Sequence, residues 1–128
     1  MKTIKTLLTI ALLLVVMITK AQSTKTLAPT EFDTKLSATK DKIILDVRTP
    51  EEFKENHLAG ATTINFYDAD FQQQVSKLNK TKPVFVYCAG GVRSGKACKL
   101  MTELGFTSIF NLDGGIKAWK ASGKPVVK

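Results

Sequence analysis

Ile43-Ile44-Leu45-Asp46-Val47 and Val84-Phe85-Val86-Tyr87 are short, nearly unbroken apolar runs rich in β-branched and aromatic residues, and Pro83 opens the second. Runs of this length without alternation predict strands covered on both faces. Ser108-Ile109-Phe110-Asn111-Leu112 is a third, stopped by Asp113-Gly114-Gly115, and Lys25–Leu27 and Thr63–Phe66 are shorter candidates. Between these runs the apolar positions change to helical spacing. Pro29 suits a first helical turn, with Phe32 and Leu36 four residues apart behind it. Phe71, Val75 and Leu78 mark a helix within Asp68–Leu78, and Ile116–Ala121 a last one before Gly123 and Pro125. The clearest helix is Ser94–Leu104, where Ala97, Leu100, Met101 and Leu104 share one face and Gly105 ends it. Strands alternating with helices predict an α/β fold, a central, mostly parallel sheet with helices on both faces. Ligands of such sheets bind beyond the carboxyl ends of the strands. Asp46-Val47-Arg48, Cys88 and Asp113-Gly114-Gly115 should therefore meet on one edge.

The first residues follow a different pattern. Lys2 and Lys5 form a basic lead, Thr6–Thr19 carries no charge, and Thr19 and Ala21 stand at the spacing of small residues that a signal peptidase accepts. This is the three-part form of a secretory signal peptide. A membrane span needs about 20 apolar residues, and Lys5 and Lys20 enclose fewer. The expectation is a signal peptide over residues 1–21, cleaved after Ala21, and one domain over residues 22–128 with no stable membrane span, secreted or periplasmic. A chain of that size builds one core.

Charge then narrows the partners. The net charge is +8, and loss of Lys2, Lys5 and Lys20 lowers it to +5. The remaining lysines are scattered and no aromatic residues interleave with them, so a nucleic-acid platform is not expected. Two cysteines in an exported chain raise the question of a Cys88–Cys98 disulfide.

Cys88 follows directly on the predicted strand Val84–Tyr87 and precedes Ala89-Gly90-Gly91-Val92-Arg93, after which a helix begins. Paired glycines let the backbone curl so that successive N–H groups point inward, and the new helix adds its positive N-terminal end. A thiol in such a cup ionises more readily than a free cysteine, whose pKa is about 8.5. The plain alternative is a strand-end cysteine packed as a small hydrophobe.

Leu45-Asp46-Val47-Arg48-Thr49-Pro50-Glu51-Glu52-Phe53, His57-Leu58-Ala59-Gly60-Ala61, Val86-Tyr87-Cys88, Arg93-Ser94, and Leu112-Asp113-Gly114-Gly115 with Trp119 resemble, in this order, the motifs of the rhodanese-like domain family. The resemblance runs from about Lys25 to Gly123. It implies a single-domain sulfurtransferase with no metal or organic cofactor. In such an enzyme Cys88 takes a sulfane sulfur from a small donor (thiosulfate, a persulfide or a polysulfide), holds it as a persulfide and passes it to a thiol or cyanide-type acceptor. It places Cys88 and Arg93 at the chemistry and Ala89, Gly90, Gly91, Val92 and Ser94 around the bound sulfur, with Asp46 and Arg48 shaping the edge. Related phosphatases of the cell-cycle type carry five residues between cysteine and arginine. This chain has four, which favours sulfur over phosphate. Family members that favour thiosulfate often carry a cation inside the loop; here Ala89 follows the cysteine, and oxyanion binding would fall to backbone N–H groups, Arg93 and Lys96.

Several residues stay open at this level. Arg93 can close the loop through a carboxylate or carbonyl, or meet a substrate oxyanion. Arg48 has Glu51 and Glu52 within reach for a salt bridge. His57, the only histidine, invites a general-base role, but an ionised thiol needs none, and the resemblance places it in a structural turn. Cys98 is core, disulfide partner or resolving thiol. Trp119 is core with an edge toward the pocket. A rival function is a non-enzymatic persulfide relay that serves a partner protein, and a redox role for Cys88 with Cys98 ranks third.

Overall fold

The computed structural model describes residues 24–128; the expected signal peptide lies outside them. The elements follow in the order β1 (Thr24–Leu27), α1 (Pro29–Ala38), β2 (Ile43–Asp46), α2 (Pro50–Glu55), β3 (Thr62–Thr63), α3 (Phe71–Ser76), β4 (Val84–Tyr87), α4 (Val92–Glu103), β5 (Ile109–Leu112) and α5 (Gly115–Ala121). The five strands form one sheet in the order β1-β5-β4-β2-β3, and every pairing is parallel. β4 lies at the centre. Its four residues are all buried, as a strand covered on both faces requires.

Side-chain alternation along β4 divides the core in two. Val84 and Val86 join Leu45, Val47, Ile109 and the helix residues Val75, Ala97 and Met101 on one face. Phe85 and Tyr87 join Phe32, Phe110, Leu112, Ile116 and Trp119 on the other. α3 and α4 therefore cover one side and α1 and α5 the other, as the strand–helix alternation predicts. Cys88 continues the first face.

Three elements differ from the sequence expectation. α3 is shorter, because Asp68–Asp70 make a turn closed by Phe71 N–H donating to the Asp68 carbonyl at 3.1 Å. Of Thr63–Phe66 only Thr63 lies in a strand, although Ile64 and Phe66 still donate to the carbonyls of Asp46 and Val47. α2 adds a helix to those the apolar spacing predicts. It begins with a complete capping box: Thr49 Oγ1 accepts from the Glu52 amide, and the Glu52 carboxylate accepts from the Thr49 amide. Pro50 occupies the first turn. Replacing Thr49 by alanine is expected to cost about 1 kcal/mol of stability, read as a lower midpoint in denaturant unfolding.

Candidate active site

The central strand delivers Cys88 to the carboxyl edge of the sheet, and the chain then turns into the N-terminus of α4. Gly91 makes that turn. Its φ of 109° lies in the left-handed region, which a side chain disfavours. In this conformation the Gly91 amide donates to Cys88 Sγ at 3.0 Å. Ser94, fully buried in the first turn of α4, donates its hydroxyl to the Gly91 carbonyl at 3.2 Å. Behind the loop, the start of α5 holds the backbone from the other side. Ile116 N–H donates to the Cys88 carbonyl at 2.9 Å and Lys117 N–H to the Ala89 carbonyl at 3.2 Å. With those carbonyls engaged outward, the loop amides are left facing the sulfur, the arrangement of an anion nest.

The electrostatics follow from this geometry. Burial alone would push the Cys88 thiol up, but the hydroxyl and amide of Ser94 with the amides of Gly91 and Gly90 outweigh it, and the thiol sits below its ordinary value. Cys98 lies one turn further along α4, buried in the same apolar cluster, and is pushed up to about 12 by desolvation and then by the nearby Cys88. Both cysteines are free. An apolar environment that suppresses ionisation suits a packing residue and not a resolving thiolate. Sub-stoichiometric iodoacetamide at pH 7–8 is accordingly expected to alkylate Cys88 and spare Cys98. The Cys88 rate should rise with pH through a midpoint below that of an ordinary cysteine, because the depressed pKa populates the thiolate earlier. Peptide mass mapping across the pH series checks both.

Arg93 lies at the second position of α4 and is held by an acidic partner that the sequence did not reveal. Its two terminal nitrogens donate to the two oxygens of Glu52, at 2.7 and 3.0 Å. The guanidinium holds the Glu52 carboxyl down at about 2, with the Thr49 amide contributing. The Tyr67 ring lies 5.5 Å from the guanidinium carbon. Glu52 thus joins α2 to the Cys88 loop across 41 residues of chain.

Asp46 and Arg48 are brought to the same sheet edge but serve a neighbouring turn. Arg48 pairs with Asp46 (Nη2–Oδ2 2.7 Å) and with neither Glu51 nor Glu52, which corrects the expectation from sequence. The reason is local: Asp46 is fully buried at the end of β2, and its carboxylate takes both the Arg48 amide and the Arg48 side chain. Arg48 Nη2 also donates to the Asn56 carbonyl, and its guanidinium covers Tyr87. Tyr87 in turn accepts from the Leu58 amide at 3.0 Å. Together these contacts fix the Asn56–Leu58 turn. His57 belongs to that turn: its ring stacks on Phe53 at 3.8 Å, Nδ1 meets the Phe53 carbonyl, and its backbone forms a two-way bridge to Val127. Trp119 is a core residue on the face opposite Cys88, with Nε1 bonded to the Pro125 carbonyl.

The remaining loop residues form the rim. Ala89 is half-buried, Gly90 is exposed, and Val92 presents 71% of its surface to solvent. Tyr67, at 67%, is the other large exposed side chain beside the loop. Lys96 is exposed on α4. A cavity lined by Thr26, Cys98, Lys99 and Asn111, about 350 Å³ in volume, lies between β1, β5 and α4, separate from the cup.

A model of the rhodanese-like domain matches residues 28–122. Thiosulfate sulfurtransferase GlpE of Coxiella burnetii is 37% identical over 82 residues, covering 64% of this chain and 75% of that protein. A sulfurtransferase of Allochromatium vinosum is 32% identical over 93 residues, covering 73% and 85%. The uncharacterized protein YqhL of Bacillus subtilis is 40% identical over 76 residues, and the match spans 59% of its length. Among solved structures, a rhodanese-related protein from Thermoplasma volcanium superposes with a TM-score of 0.71 at 28% identity, covering 80% of this chain and 97% of that one. The match of the domain model across most of the chain, the similar proteins and the parallel fold agree: this chain belongs to the rhodanese-like domain family.

Proposed function

We propose that the chain is a rhodanese-type sulfurtransferase with Cys88 as nucleophile and sulfur carrier. The observation that carries the reading is the buried Cys88 sulfur receiving the Gly91 amide at 3.0 Å at the head of α4, with four residues between Cys88 and Arg93. The Cys88 thiolate attacks the outer sulfur of a donor such as thiosulfate; the sulfur–sulfur bond breaks and sulfite leaves with the bonding pair. The product is a persulfide anion on Cys88, which the amides of Gly90, Gly91 and Ser94 stabilise as they do the thiolate, with the Ser94 hydroxyl turning from the Gly91 carbonyl to the sulfur. A thiolate or cyanide then attacks the outer persulfide sulfur, and the Cys88 thiolate returns as leaving group. No proton has to move within the site, which agrees with the structural placement of His57. Names of similar proteins, thiosulfate sulfurtransferase and sulfurtransferase, support the reaction class.

Turnover assays with thiosulfate or an organic persulfide as donor, and cyanide or dithiothreitol as acceptor, test the proposal. Thiocyanate or sulfide should form in proportion to enzyme, and no product from any donor would defeat it. The second reading, a persulfide relay serving a partner protein, is favoured by the exposed Val92 and Tyr67 beside the loop. Loading of Cys88 without turnover on small acceptors would select it. In either case the signal peptide read over residues 1–21 assigns the work outside the cytoplasm, and the N-terminal mass of the exported protein, beginning at Gln22, tests that assignment.

A further inference from the structure

Arg93 is the one cation built into the Cys88 loop, and it is already occupied. Both terminal nitrogens are committed to Glu52, and the pair is only partly exposed, 16% for Arg93 and 31% for Glu52. Glu52 cannot easily swing away, since its other bonds, to the Thr49 amide and hydroxyl, form the cap of α2. Arg93 holds the Glu52 carboxyl well below the usual carboxylate range, so the pair carries no net charge near neutral pH. Ala89, Gly90, Gly91 and Val92 add no charge to the rim. Lys96, the other candidate cation, is exposed on α4, and what the loop itself leaves to receive a donor is a set of amide dipoles beside apolar Val92 and the Tyr67 ring.

We infer that Glu52 is a specificity-determining residue: by neutralising Arg93 it tunes the site toward sulfur donors with a single negative charge or none, such as thiosulfonates and hydropersulfides, and against the thiosulfate dianion. This rests on the sulfurtransferase reading. Thiosulfate and an alkanethiosulfonate present the same sulfur–sulfur bond to the Cys88 thiolate. The first releases sulfite and the second a sulfinate, a weaker base and better leaving group, each leaving with the bonding pair; comparing variant with wild type for each donor cancels that difference and isolates the effect of charge. A dianion gains twice what a monoanion gains from an uncompensated guanidinium. The pair's own geometry costs the site that gain.

The test compares kcat/KM for thiosulfate and for methanethiosulfonate in the wild type, Glu52→Gln and Glu52→Asp. Glutamine keeps the shape and can still accept the Thr49 amide, so the α2 cap is retained. The wild type should prefer the thiosulfonate. Glu52→Gln should raise kcat/KM for thiosulfate about tenfold, mainly through KM, and raise that for the thiosulfonate by a smaller factor. Glu52→Asp, which keeps the charge, should retain the wild-type preference. Equal effects on both donors, or an unchanged ratio, would overturn the inference while leaving sulfur transfer intact. No transfer from either donor in the wild type would overturn the sulfurtransferase reading, and this inference with it. A sulfate competition on the wild type does not depend on how the variants fold. Inorganic sulfate, which a free arginine would hold, should leave thiosulfonate turnover unchanged; strong competition by sulfate would also contradict the inference.

Discussion

Cys88→Ala and Cys88→Ser are each expected to lose sulfur transfer by roughly a thousandfold or more, with the fold retained. Alanine removes the carrier atom. Serine keeps the size and the hydrogen bond from Gly91, but an alcohol is not ionised by a cup that shifts a thiol, and it forms no persulfide. Both are small enough for the buried position at the end of β4, so unfolding midpoints should stay near that of the wild type. Loss of turnover with an unchanged midpoint assigns Cys88 to the chemistry. Retained turnover in either variant would move the nucleophile elsewhere, and Cys98 would then have to be reconsidered despite its suppressed ionisation.

The second large effect is expected at Gly115, which touches no sulfur. A methyl group there would fall against the Ala89 carbonyl oxygen and within 2.6 Å of the Cys88 carbonyl oxygen, both backbone atoms. The residue also has a φ of 63°, in the left-handed region. Gly115→Ala must therefore push α5 away from the loop, breaking the bonds from Ile116 and Lys117 that hold the Cys88 and Ala89 carbonyls. The expected cost is about 3 kcal/mol, from backbone strain and overpacking together. Loss of those anchors also lets the loop amides turn from the sulfur, so alkylation of Cys88 at neutral pH should slow in the part of the protein that remains folded. Denaturant unfolding and the alkylation rate measure the two effects separately. A variant as stable and as reactive as the wild type would show that α5 does not support the cup.

The alternation of buried apolar runs with helical stripes was enough to predict a parallel sheet clad on both faces, because β2, β4 and β5 have few polar residues to obscure them. Cys88 and its loop were legible for a related reason: strand, cysteine, paired glycines and helix are contiguous, so their geometry is local. The capping signal Thr49-x-x-Glu52 is local in the same way and marks the start of α2. The partners of the arginines were not readable in the same way. Arg48 has acidic neighbours on both sides in sequence, and only the depth of Asp46 in the sheet decides between them. Glu52 and Arg93 are 41 residues apart and meet because β2 and β4 are adjacent and parallel. The role of Gly115 depends on β5 and β4 bringing the two turns together, a contact that no local pattern carries.

The most direct test of the central claim is the intact mass of the reduced wild-type protein after brief exposure to thiosulfate, methanethiosulfonate or an alkyl persulfide and removal of excess donor. The account predicts a gain of one sulfur atom, mapped to the Cys88 peptide, discharged by cyanide and absent from Cys88→Ala. An unchanged mass with every donor, or an added sulfur that maps to Cys98, would contradict it.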